Sequence, residues 1–226
     1  MAERIIICSN DIELYKEDID NFLMLVKEDV GKISESQIRS IAKGIILFKR
    51  IFMKKDTAYS HYSECLISDV LSLVHAYGIK SQRLYYTTYR SLIENFTRVL
   101  LGYDNANDTG VRNMFRELRN RYEDTGKDFL DYLEGEYGKC CNVIHSNIKA
   151  DIQLYSYYED IVSSDEMDEK TINACVNALN TFCNKAKMFM IENIPQLVND
   201  SFYNHKELLA FLIGKENYLK LEKKID

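Results

Sequence analysis

The stretch that decides the fold is "SQRLYYTTYRSLIENFTRVLLGYDNANDTG", residues 81–110. Tyr85, Tyr89, Leu92, Phe96, Val99 and Tyr103 recur three or four residues apart, which sets one apolar stripe along a single helix. Ser81 stands where a capping hydroxyl belongs, and the Asn-, Asp- and Gly-rich segment 102–110 reads as an irregular loop. The same spacing continues toward the N-terminus in three more helices. The first carries Ile12, Tyr15, Ile19, Phe22, Val26 and Val30. The second carries Ile38, Ile41, Ile45, Phe48 and Phe52, and Ser34 with Gln37 three residues later predicts a capping box at its start. The third carries Tyr59, Tyr62, Leu66, Val70, Leu73 and Tyr77, with Asp56 or Thr57 as its cap and Gly78 as its stop.

Toward the C-terminus, residues 111–122 read as a short basic helix. Phe129, Leu133, Tyr137, Cys140, Ile144 and Ile148 keep helical spacing, although Gly135 and Gly138 are expected to interrupt it. The segment 152–161 reads as helix or coil. Ile172, Val176, Leu179, Cys183, Ala186 and Met190 mark a strong helix ended by Pro195, and the tail from Glu207 is amphipathic. Composition agrees with this pattern. The chain has 226 residues but only 9 Gly and 1 Pro, against the ~7% and ~5% of ordinary proteins. Sheets need many tight turns, and this chain lacks the residues to make them. The expectation is an all-α antiparallel helical bundle, one domain over 1–226 with a C-terminal helical extension over 167–226.

A net charge of −6 argues against a surface that grips nucleic acid everywhere, while leaving room for a local basic stripe. No apolar run is long enough for a membrane span, and the opening "MAERIIICSNDIE" turns acidic too soon for a signal peptide. Cys8, Cys65, Cys140, Cys141, Cys175 and Cys183 form no C-x-x-C pair and read as reduced thiols. The expected location is the cytoplasm.

The four histidines (His61, His75, His145 and His205) make no H-E-x-x-H or zinc-type spacing, and no Glu-x-x-His pair of a di-iron bundle. Glycine-rich phosphate loops are missing too. No metal and no cofactor is expected. Two constellations remain that carry chemistry. Arg90, Glu94 and Arg98, four apart, share one helix face. They read either as exposed ion pairs or as a cleft-facing Arg–Glu–Arg set that aims a guanidinium fork at phosphate. His145 in "KCCNVIHSN" reads either as a structural histidine or as a general acid or base, with Lys139 as a nearby cation. A third feature is the basic stripe Arg112, Arg116 and Arg119, either an ordinary solvated face or a contact for RNA phosphates.

The segment "SLVHAYGIKSQRLYYTTYRSLIENFTRVLLG" (72–102), followed by "YGKCCNVIHSNIKAD" (137–151), resembles the HEPN superfamily of prokaryotic helical proteins. The resemblance covers about residues 60–160 and rests on the R-S-L-x-E helix at Arg90–Glu94 and the V-I-H segment at Val143–His145. It implies a helical bundle, often dimeric. In many members it also implies a metal-independent ribonuclease of toxin or anti-phage systems, built on an arginine and a histidine separated by four to six residues. Carried over, His145 matches the motif's histidine, Glu94 the polar residue of the earlier helix, and the arginine position falls on Lys139. Lysine keeps the charge but lacks the planar fork, so Arg90 or Arg98 becomes the candidate to supply it. Two functions follow as expectations. One is an RNA-directed HEPN-like protein with His145, Lys139, Arg90, Glu94 and Arg98 as its catalytic set and Arg112, Arg116 and Arg119 as its RNA contacts. The other is a non-catalytic helical adaptor in a defence complex, working through a homodimer or a protein partner.

Overall fold

The computed structural model describes residues 2–31, 33–53, 57–122, 125–145 and 154–225. The chain runs through α1 (Ala2–Val30), α2 (Glu35–Phe52), a 3-10 turn (Thr57–Tyr59), α3 (His61–Gly78), α4 (Gln82–Leu101), α5 (Val111–Arg121), α6 (Lys127–His145), α7 (Leu154–Asp165), α8 (Glu169–Asn193), α9 (Pro195–Ser201), α10 (Lys206–Ile213) and α11 (Lys215–Ile225). The fold is all-α. Among the described residues the only extended pairing is an isolated bridge between Ser81 and Glu166. No helix there is long and apolar enough to cross a membrane.

Local chemistry sets the helix ends. The Ser81 hydroxyl accepts from the Leu84 amide at 3.1 Å and opens α4, and Asp168 accepts from the Thr171 amide at 2.7 Å and opens α8. At the far end of α4, Gly102 turns left-handed at φ 72°, a conformation glycine enters without a Cβ clash. The Tyr103 amide then closes back on the Arg98 carbonyl. Pro195 takes the first position of α9, where its missing N–H is harmless.

Several expected details differ. No capping box forms at α2, because Gln37 reaches across to Asn177 on α8 at 3.2 Å and Ser34 pairs with Ser36. The third helix starts later than expected, with Ser60 before His61, and the Thr57 position belongs to the 3-10 turn; Asp56 lies outside the described residues. Gly135 and Gly138 do not interrupt α6. Tertiary contacts along its apolar stripe outweigh a propensity difference of ~1 kcal/mol per glycine. The ambiguous 152–161 segment is helical from Leu154, while 152 and 153 lie outside the described residues.

Antiparallel neighbours form the scaffold. Arg39 pairs with Asp20, and Lys27 with Glu35, across α1 and α2. Phe96 meets Phe129, and Tyr89 meets Tyr132 at 3.2 Å, across α4 and α6. The core gathers Phe48, Phe96 and Phe182, each fully buried, with Phe96 and Phe182 ring centres 5.3 Å apart. Such edge-on pairs contribute roughly 0.5–1.5 kcal/mol beyond their burial. Phe182 belongs to α8, so residues 169–193 complete the centre of the bundle. Tyr77 and Tyr85 donate to one acceptor there, the Cys175 carbonyl, at 3.3 and 3.0 Å. Burial holds both hydroxyls well above the usual phenol range.

Candidate functional site

On α4, Arg90, Glu94 and Arg98 stand one turn apart, and the antiparallel α6 brings Tyr137 against them. Glu94 is the hub. Its Oε1 accepts from Arg90 Nε at 3.2 Å and from the Tyr137 hydroxyl at 3.0 Å, and its Oε2 accepts from Arg98 Nη1 at 3.4 Å. Arg90 Nε also donates to the Tyr137 oxygen at 3.0 Å, which closes a triangle of three side chains from two helices. The carboxylate is only 21% exposed and Arg98 16%, so water screens this network far less than a surface pair.

The two arginines are held differently. Arg98 lies over the Tyr62 ring at 5.1 Å, and its Nε is buried with no hydrogen-bond partner among the described residues. Tyr62 in turn donates to the Asn107 carbonyl at 2.5 Å, so Arg98 braces α3 and the 102–110 loop. Arg90 is more open. Burial works to lower its pKa, but the Tyr137 hydrogen bond and the Glu94 charge outweigh that and raise it. Among the described residues its hydrogen bonds run through Nε, and its side chain is 34% exposed. Burial first, and then the Glu94 charge against the opposing pull of Arg90, pushes the Tyr137 hydroxyl up to about 12. Behind the hub, Asn95 donates to Asp69 at 2.8 Å, and burial raises the Asp69 carboxyl against that bond.

Arg90 and Tyr137 open onto a cleft of about 740 Å³ shared with Arg112, Phe115 and Glu134. It places two guanidiniums, two aromatic rings and one carboxylate around a space wide enough for a nucleotide-sized group. Of the remaining basic residues, Arg116 donates to Asn113 at 2.9 Å, whereas Arg119 is held between Glu134 at 2.6 Å and Asp131 at 2.8 Å. Arg119 therefore ties α5 to α6.

Lys139 sits apart from Arg90, ion-paired with Glu136 at 2.6 Å beside Gln82 and Tyr86 in a separate cleft. His145 is the last residue of α6, and its side chain lies outside what is described. Eight residues beyond Tyr137, it stands about 12 Å further along the helix axis. On the antiparallel α4, exposed Arg83 lies seven residues before Arg90, and its amide donates to the Asp165 carboxylate. The structure thus brings Arg90, Glu94 and Arg98 together and adds Tyr137 and Tyr62. Lys139 does not join them.

Neither tyrosine stood out in the sequence, since both sit at core spacing. Their hydroxyls matter only once the packing of three helices is known. Among the described residues no group of three His, Cys, Asp or Glu is placed to hold a metal ion. Compared with protein-family models, with curated proteins and with solved structures, the chain matches none.

Proposed function

We propose that this chain is an RNA-directed, HEPN-like protein of a prokaryotic toxin or anti-phage system. It holds the phosphate backbone in the Arg90–Arg112 cleft and cuts RNA without a metal. The supporting observation is the pinned Arg90. Its Nε is occupied by Glu94 and Tyr137, and its side chain, 34% exposed, lines the cleft beside Arg112, Tyr137 and Phe115. A pre-oriented fork suits bidentate capture of phosphate, and the neighbouring rings offer stacking faces for bases. In this reading the RNA runs along α6 toward His145, which moves the proton between the 2′-hydroxyl and the leaving oxygen. Lys139 is engaged with Glu136, so the charge that stabilises the developing phosphorane comes from arginine, and a second copy of the chain completes the site.

The test uses a labelled single-stranded RNA in EDTA. Arg90→Gln and Arg112→Gln are each expected to weaken binding about tenfold and to flatten the salt dependence by about one charge. His145→Ala is expected to abolish cleavage with an unchanged melting temperature. Cleavage that survives His145→Ala overturns the catalytic assignment, and unaltered binding in both arginine variants overturns the cleft.

A second reading, a non-catalytic adaptor, is favoured by α7. There Tyr155, Tyr158 and Val162 repeat on one face at 66%, 67% and 54% exposure, an apolar stripe suited to a protein partner or a second copy. RNA binding without cleavage, lost together with assembly when these three residues are made polar, selects it.

A further inference from the structure

Away from the residues that line the Arg90 cleft, α2, α8 and α10 enclose a cleft of about 400 Å³. Two lysines face it. Lys43 Nζ donates to the Phe211 carbonyl at 3.0 Å and lies 3.8 Å from the centre of the Phe211 ring. Lys187 Nζ donates to Asn184 Oδ1 at 2.8 Å. Among the described residues neither is ion-paired, and no carboxylate lines the cleft. Arg39 at its rim is already paired with Asp20 of α1, so the cleft's uncompensated charge is that of the two ammonium groups. Half-buried lysines ordinarily approach a carboxylate, because leaving a charge in a partly dehydrated wall is unfavourable. An ammonium group has three donors, and among the described residues Lys43 and Lys187 each meet one protein acceptor. The remaining donors are available to an occupant. Ser40 adds a hydroxyl at the cleft wall, whose oxygen accepts from Asn184 Nδ2 at 3.4 Å.

We propose that this cleft is a binding site for a small phosphate dianion, either free phosphate or the phosphate group of a small ester. Two uncompensated positive charges match a doubly charged ligand, and the volume fits a small molecule rather than a polymer. Burial lowers the pKa of both lysines, and for Lys43 the Lys187 charge lowers it further. A bound dianion reverses that mutual repulsion. The site is independent of the Arg90 cleft and of the RNA reading.

Thermal melts of the whole chain at constant ionic strength test it, with inorganic phosphate and phenyl phosphate as the probes and chloride and acetate as controls. The wild type is expected to gain melting temperature with either phosphate probe, saturating in the millimolar range or below, and to ignore chloride and acetate. K43M and K187M keep the aliphatic length and remove the repulsion. Each is expected to fold at least as stably as the wild type without phosphate and to weaken apparent affinity at least tenfold. Arg112→Gln is expected to retain the full response. A stronger effect of phenyl phosphate assigns the ester, with the Phe211 wall receiving its ring; equal effects assign free phosphate. No response in the wild type, an equal response to acetate, or a response retained by the K43M/K187M double variant overturns the proposal.

Discussion

Glu94 stands between two guanidiniums and a phenol, so its loss affects three partners at once. Replacing it with Gln removes the charge that balances Arg90 and Arg98 in a setting where only 21% of the carboxylate is exposed. The expected destabilisation is about 1–3 kcal/mol, seen as a fall of roughly 2–10 °C in the melting temperature. Tyr137 gives a pH signature of its own. Folding holds its proton up to about 12, against an ordinary phenol value of 10.0, so the folded chain binds that proton more tightly than the unfolded chain does. The associated stability is complete below pH 10 and is lost as the pH rises toward 12. Tyr137→Phe is therefore expected to flatten the alkaline fall of the melting temperature over that window. A variant whose alkaline profile superimposes on the wild type contradicts this origin. Residue spacing made the Arg90–Glu94–Arg98 face legible, because three positions four apart must share a side of a helix. Tyr137 and Tyr62 were not legible as partners. A tyrosine at core spacing looks the same whether its hydroxyl meets water or a carboxylate.

At the scale of elements, glycines separate what a helix tolerates from what its neighbours require. Gly135 lies within α6, and an added Cβ there meets no atom of the described residues within 4 Å. Gly135→Ala is expected to stabilise the chain by about 0.5–1 kcal/mol by reducing the freedom of the unfolded backbone. Gly126 is the opposite case. A Cβ there falls 2.8 Å from Tyr122 Cβ and 2.9 Å from Phe189, so Gly126→Ala is expected to destabilise by about 1–3 kcal/mol. Urea denaturation of the two variants side by side checks both signs. The sequence marked the helices because apolar spacing survives in one dimension. It misjudged the start of the third helix and the glycines of α6 because capping and propensity are weak terms that tertiary packing overrides.

At the scale of the molecule, α8 packs its rings against helices far from it in sequence. Its Phe182 touches the rings of Phe48, Tyr89 and Phe96 from two other helices. Phe182→Ala is expected to destabilise the chain by about 3–5 kcal/mol. A chain ending at Glu166 is expected to lose cooperative unfolding, as followed by circular dichroism in urea, because the faces of α2 and α4 are left uncovered. A sharp transition in that truncated chain contradicts the assignment. The repeat of apolar residues from Ile172 to Met190 was plain in the sequence, but its central position was not. Which helix lies at the middle depends on contacts between residues far apart in the chain, and spacing along one helix holds no record of them.

The shared hydrogen bonds of Tyr77 and Tyr85 to the Cys175 carbonyl join residues 98 and 90 positions apart. This has a consequence in time. Helical hairpins such as α3–α4 close from local contacts within microseconds, whereas the central aromatic layer must await a partner made much later. At ~5–20 residues per second of synthesis, the roughly ninety residues between the ends of α4 and α8 take on the order of 5–20 s to appear. For that interval the nascent chain carries Phe48 and Phe96 without their cover, and its first companion in the cell is whatever shields apolar surface at the ribosome exit.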